Sequence, residues 1–193
     1  MKRICVYCGS SNGARPSYIQ AARALGTSLV RRGIGLVYGG SNVGLMGALA
    51  DTVLAQGGEV IGVIPESVVI REVAHTRLAD LRVVGSMHER KALMAELADG
   101  FIAMPGGFGT LEEFCEIVTW VQLGLHRKPC GLLNVEGYYD GLLSFLNHAV
   151  AEGFIRTEYR SVVLTDSEVD GLLEKISTYE APHLKKWIDR DET

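Results

Sequence analysis

The sequence predicts an α/β fold: a single domain built on a parallel β-sheet with helices on both faces. Two patterns carry this prediction. Short β-branched runs alternate with segments of helical period along nearly the whole chain, and glycines stand where several of those helices would stop. No low-complexity linker, internal repeat or composition break divides the 193 residues, a length that suits one domain with a substantial core.

The first strand is expected over Arg3 to Cys8, followed by a helix over Ser17 to Arg32 that Gly33 stops. A second strand, Gly35 to Tyr38, leads to a helix over Leu45 to Gln56, ended by Gly57-Gly58. Strands then follow at Glu59 to Ile64 and Leu81 to Val84, a helix at Ser86 to Ala98, and a strand at Phe101 to Met104. The pattern continues with a helix at Thr110 to Leu125, a strand at Cys130 to Leu133 and a helix at Tyr138 to Glu152 before Gly153. It closes with a strand at Ser161 to Leu164 and a helix at Val169 to Tyr179. The domain runs over residues 1–180; the tail 181–193, with Pro182 and a charged end, is peripheral.

The chain is 47% hydrophobic and 22% charged, with a formal net charge of −4. That balance argues against a general nucleic-acid or anionic-membrane binder, which carries a basic surplus. Ile4 to Cys8 is too short for a signal peptide and no run approaches a membrane span, so the protein reads as cytoplasmic. Cys5 and Cys8 form a C-x-x-C, but an odd separation on a strand points them to opposite faces. They read as buried reduced thiols rather than a metal or redox pair. The five histidines are scattered without ligand spacing, and no metal site is assigned.

Ligands of parallel sheets bind beyond the carboxyl ends of the strands. Three glycine- and hydroxyl-rich turns are expected there: Gly9 to Gly13, Gly39 to Gly44 and Pro105 to Thr110. As a set they favour a phosphorylated ligand held by backbone N–H groups. The sequence has no G-x-x-x-x-G-K-[ST] motif, its first turn is not G-x-G-x-x-G, and no acidic residue ends the second strand; P-loop and NAD chemistry are thereby disfavoured.

The stretch Pro105-Gly106-Gly107-Phe108-Gly109-Thr110-Leu111-Glu112-Glu113 is the richest in chemistry. A strand that stops at Pro, turns on glycines and enters a helix capped by Thr110 aims free N–H groups at one point, with Glu113 one turn inside. Thr110-x-x-Glu113 also reads as a capping box that only starts the helix, and spacing alone leaves both readings open. Upstream, Ser86-Met87-His88-Glu89-Arg90-Lys91 begins the preceding helix, with Ser86 and Glu89 as a possible capping box. Two cations in a first turn oppose the helix dipole at a cost of up to about 1 kcal/mol each, which a bound anion or nearby Glu would offset. Glu112, Glu113 and Glu116 are read as a solvated or dipole-stabilising helix end rather than a Mg²⁺ site. Met94 and Met104 are read as core, and Met87 as the exception because it stands beside the basic pair.

Met87-His88-Glu89-Arg90-Lys91-Ala92 followed by P-G-G-F-G-T-L-E-E closely resembles the Lonely Guy family, the cytokinin riboside 5′-monophosphate phosphoribohydrolases, often mislabelled as lysine decarboxylases. The resemblance runs from Ile4 to about Leu173 and includes Cys8-Gly9-Ser10-Ser11, Tyr38-Gly39-Gly40, Gly44 to Gly47 and Leu132 to Tyr139. It implies a Rossmann-like α/β fold, a homodimer, no cofactor, and hydrolysis of the N-glycosidic bond of a nucleoside 5′-monophosphate. AMP, N6-substituted relatives or both would give free base and ribose 5-phosphate. By motif match Arg90 and Glu113 form the catalytic pair, with Glu72, Lys91, Gly107, Phe108, Gly109, Thr110, Leu111, Glu112 and Thr119 as substrate contacts. Gly9, Ser10 and Gly40 of the strand-end turns and Met87 complete the candidate set. Phe108 stands where Tyr is frequent in the family, which removes a hydroxyl and leaves the loop backbone unaltered.

The implied chemistry suits these residues. Breaking a ribosyl C–N bond builds positive charge on the sugar, which a carboxylate aimed at C1′ can stabilise while activating water. Two rival readings remain. One is a non-catalytic adenine-nucleotide-binding module on the same fold. The other is decarboxylation, which needs an electron sink such as PLP on a Schiff-base Lys, for which Lys91 is the sole support.

Overall fold

The computed structural model describes residues 1–69 and 74–182, so Glu72 and the end of the tail lie outside the described residues. The chain runs β1 (Arg3–Tyr7), α1 (Pro16–Arg31), β2 (Gly35–Tyr38), α2 (Gly44–Ala55), β3 (Val60–Pro65), α3 (Glu66–Val69), β4 (Asp80–Val84) and α4 (Met87–Leu97). It continues through β5 (Gly100–Ala103), α5 (Phe108–Gln122), β6 (Cys130–Leu133), a 3₁₀ turn (Val135–Gly137), α6 (Asp140–Ala151), α7 (Thr157–Arg160), β7 (Val163–Asp166) and α8 (Val169–Ser177). Among the described residues, seven strands form one sheet in the order β4-β3-β2-β1-β5-β6-β7. Every pairing in it is parallel.

The period of two along β1 divides the core. Ile4, Val6 and Cys8 pack with Leu25 and Leu29 of α1, Leu49 and Val53 of α2, and Leu172 and Ile176 of α8. Cys5 and Tyr7 face the other layer, with Met94 of α4 and Phe114, Ile117 and Val121 of α5. The two cysteines therefore sit on opposite faces, buried and reduced, as their spacing predicts. Each large aliphatic side chain buried in these layers contributes about 1.5–3 kcal/mol.

The strand order reverses between β1 and β5. The turn after β1 and the turn after β5 consequently part at a crevice on the carboxyl edge. They remain joined by one backbone hydrogen bond, from Gly9 N–H to the carbonyl of Pro105 at 3.0 Å.

Several boundaries differ from the sequence reading. α5 starts at Phe108 with Gly107 as its N-cap, two residues before the expected start, and no side chain caps it. Thr110 is an interior residue of the first turn, 4% exposed, so the capping box with Glu113 is not formed. β7 starts at Val163 because Thr157–Arg160 makes a helical turn, closed where Ser161 Oγ donates to the Glu158 carbonyl at 2.7 Å. α6 starts at Asp140 because Glu136, at φ 52°, breaks the helical path ahead of it.

Candidate active site

The crevice opens into a cavity of about 390 Å³ lined by residues of the β1, β2 and β5 ends and by the first turns of α4 and α5. Its floor is the start of α5. Helical N–H groups of the first turn have no intrahelical partner. Gly107, Phe108, Gly109 and Thr110 all line the cavity, and a Cβ on Gly107 or Gly109 would meet nothing within 4 Å. Gly106 is glycine for another reason: a Cβ there would stand 2.1 Å from Thr110 Oγ1 and 3.0 Å from the Gly9 nitrogen. The turn thus combines one glycine forced by packing with two that leave the helix end bare, where the dipole favours an anion.

Ser86 caps α4 as its spacing predicts, accepting the Glu89 N–H at 3.1 Å while Glu89 accepts that of Gly85 at 2.9 Å. The cap sends the two cations of the first turn in different directions. Arg90 crosses beneath the sheet edge, donating from Nε to the Val63 carbonyl at 3.1 Å and from Nη2 to the Gly39 carbonyl at 3.4 Å. Its Nη1 lies 3.6 Å from Glu113 Oε1, with the two side chains 15% and 11% exposed. Gly39 leaves room for this guanidinium, because a Cβ there would sit 2.1 Å from Nη2 and would displace it.

Glu113 is held where its charge is costly. Burial raises its carboxyl pKa above the ordinary value, while Arg90 pulls it back down. A carboxylate nearly closed off from water, beside a fixed cation and facing a cavity, can stabilise positive charge that develops on a ligand. Cys8 also lines the cavity, but burial and the nearby Glu113 push its thiol pKa up, so it is no ready nucleophile.

Lys91, expected to touch substrate, pairs with carboxylates of α5. It does not line the cavity, and the residue is 7% exposed. Nζ donates to Glu112 Oε1 at 2.5 Å and to Glu116 Oε1 at 3.1 Å, tying α4 to α5. Burial opposes its charge, and the two carboxylates overcome that to raise its pKa. Gly40 does not line the cavity; it adopts φ +75° and its carbonyl accepts the His75 N–H at 2.9 Å. Leu111 packs into the core layer beside α4. Thr119 is exposed three turns along α5, its Oγ1 donating to the Cys115 carbonyl, and does not line the cavity.

Gly9, Ser10, Met87, Arg90, Gly107, Phe108, Gly109, Thr110, Glu112 and Glu113 do come together there. Sequence reasoning marked Gly39 only as part of a strand-end turn and missed Val6, Tyr7, Cys8, Met46 and Met94, which line the same cavity. Met94 was assigned to the core and belongs to both, since it is 1% exposed. Met46 follows the second glycine turn, a position that could have marked it.

Residues 46–176 match the model of the family described as "Possible lysine decarboxylase". The cytokinin riboside 5′-monophosphate phosphoribohydrolase LOG of Oryza sativa subsp. japonica is 53% identical over 178 residues, 92% of this chain and 74% of that protein. The phosphoribohydrolase of the same name designated LOG7 in Arabidopsis thaliana is 51% identical over 179 residues, 93% of this chain and 82% of that protein. The chain belongs to the cytokinin riboside 5′-monophosphate phosphoribohydrolase family.

Among solved structures, the molybdenum cofactor binding protein of Rippkaea orientalis aligns with a TM-score of 0.69 at 25% identity, covering 92% of this chain and 97% of that one. The molybdenum cofactor carrier protein of Chlamydomonas reinhardtii aligns with a TM-score of 0.69 at 20% identity, over 92% and 99% of the two chains. These likenesses extend the fold beyond the phosphoribohydrolase family. Within the family member described here, no group of three or more His, Cys, Asp or Glu among the described residues is placed to hold a metal ion. Nor is any helix among them long and apolar enough to cross a membrane.

Proposed function

We propose that the protein hydrolyses the N-glycosidic bond of adenosine 5′-monophosphates, AMP and its N6-substituted relatives, to free base and ribose 5-phosphate. One observation carries this reading: the Arg90–Glu113 pair at 3.6 Å faces the same cavity as the uncapped N-terminus of α5. The 5′-phosphate takes the α5 N–H groups, and its remote binding energy holds the ribose against Glu113. As the C–N bond breaks, its electron pair leaves with the base, which takes a proton from solvent, while the Glu113 carboxylate stabilises the cationic sugar and accepts a proton from the water that attacks C1′. Arg90, anchored to two carbonyls, keeps Glu113 ionised and oriented. Met46, Met87 and Met94 give the cavity an apolar, adaptable side suited to a base and its N6 substituent.

The protein acts on this reading as a homodimer. Val121 of the apolar α5 stretch is core at 1% exposed, but Leu123 and Leu125 are 59% and 68% exposed at its end and Thr119 is open beside them. Thr119 meets a nucleotide only if a second copy brings its own cavity to this face.

The test is product release followed by chromatography for AMP, isopentenyladenosine 5′-monophosphate and adenosine. Free base from the monophosphates and little from adenosine is expected. Failure to release base from either monophosphate contradicts the catalytic reading, and equal kcat/KM for adenosine and AMP contradicts the role of the α5 N-terminus.

A further inference from the structure

The segment after β6 carries Tyr138 and Tyr139, which the reaction itself does not use. Asn134 sets their direction, with its Oδ1 accepting the Tyr139 N–H at 2.7 Å and its Nδ2 donating to Asp140 at 2.8 Å. Both phenols reach back to the turn between β5 and α5. Tyr139 donates to the Met104 carbonyl at 2.6 Å, Gly9 N–H to that of Pro105 at 3.0 Å, and Tyr138 to that of Gly106 at 2.6 Å. Three successive carbonyls are therefore held.

In a trans peptide the carbonyl and the following N–H point in opposite directions, and no cis bond is present here. Holding a carbonyl thus aims the next donor. The Met104 carbonyl is followed by Pro105, which has no N–H to aim. The Gly106 carbonyl is followed by Gly107, the N-cap of α5. Tyr138 and Tyr18, whose rings meet edge-on at 5.7 Å, line an adjoining cavity with Gly106 and Gly107, and Tyr138 does not line the catalytic cavity, which Gly107 lines as well. The pull of Tyr138 on the Gly106 carbonyl turns the Gly107 N–H away from that phenol, and Gly107 borders the catalytic cavity.

We infer that Tyr138 is a positioning residue for anion recognition: its hydroxyl orients the Gly106–Gly107 peptide so that the Gly107 N–H donates to the 5′-phosphate. The inference rests on the phosphate reading above and adds a residue to it. Tyr138 is 43% exposed, so in Tyr138→Phe water can serve the Gly106 carbonyl and the ring contacts persist. The hydrogen bond to water leaves the peptide free to turn.

Kinetics of Tyr138→Phe against wild type, with AMP and adenosine as substrates and inorganic phosphate as inhibitor, test this. KM for AMP and the inhibition constant for phosphate should both rise roughly 3- to 10-fold, the effect of one hydrogen bond, with kcat and the KM for adenosine within about twofold. Tyr139→Phe, which frees a carbonyl that precedes proline, should lower Tm and leave phosphate inhibition unchanged. A folded Tyr138→Phe protein with unaltered AMP and phosphate constants overturns the inference, as does equal weakening of AMP and adenosine. A wild type that treats AMP and adenosine alike overturns the phosphate reading and this inference with it, whatever the variant does.

Discussion

Lys91→Met separates two roles for the second cation of α4. The motif resemblance implies a substrate contact, whereas in the structure Lys91 is 7% exposed and its ammonium donates to Glu112 and Glu116. Met keeps the apolar stem and removes the charge. Hydrogen bonds to charged groups contribute about 1.5–3 kcal/mol each when protected. Glu112 is 54% exposed and Glu116 29%, so both regain water in the variant and the contribution must be discounted. A net loss of about 2 kcal/mol follows, which lowers Tm by about 4–8 °C in a chain of this size. Lys91 also holds the Glu113 pKa down, though less than Arg90 does. The acid limb of the kcat profile should therefore move to higher pH, with KM for AMP changed by less than about threefold. Thermal melts and a pH series of initial rates check both parts. An unchanged Tm with KM raised 100-fold would refute the strut and restore Lys91 to the substrate.

Gly106→Ala would place a Cβ 2.1 Å from Thr110 Oγ1, and overpacking of that kind costs about 1–3 kcal/mol, visible as a lowered Tm. Gly107→Ala meets no neighbouring atom, so it should spare Tm and raise KM for AMP. Arg90→Gln removes the cation that lowers the Glu113 pKa, so activity should be lost at mildly acidic pH first, as rate profiles would show. Because the folded-state pKa of Glu113 is raised above its unfolded value, its protonation favours folding at low pH. That stabilisation is lost as pH rises through the folded pKa. Tm of Glu113→Gln relative to wild type should consequently improve from pH 4.5 to 7.5, and a constant difference would contradict the burial of charge. Light scattering at micromolar concentration should give twice the monomer mass of 20.9 kDa; the monomer mass would contradict the homodimer.

The inner strands β1, β2, β3, β5 and β6 and the long helices were legible because burial on both faces produces near-continuous apolar runs, and glycines at Gly33, Gly57 and Gly153 stop helices with positive φ. The site was legible where glycines cluster beyond the strand ends, as at Gly9, Gly107 and Gly109, although none of the three has a positive φ and a Cβ on the last two would meet nothing within 4 Å. It was not legible where one residue type serves two ends. Thr110-x-x-Glu113 has capping-box spacing, and only the start of α5 at Phe108 shows that Thr110 packs on Gly106 instead. Lys91 and Arg90 are adjacent in sequence, yet a 100° rotation between neighbours on a helix sends one to α5 and the other to the cavity. Met46 and Met94 belong to core and cavity at once, which hydropathy cannot distinguish. The short helices α3 and α7 are single turns without a periodic signal.

The central claim is that Glu113 stabilises the reacting sugar, and the turnover of Glu113→Gln with AMP tests it most directly. The substitution keeps the size of the side chain and lifts the cost of a buried charge, so the protein should remain folded and bind AMP. With its carboxylate gone, kcat should fall by about 10²- to 10⁴-fold. A folded Glu113→Gln protein that binds AMP and turns it over at a near-normal kcat would contradict the account.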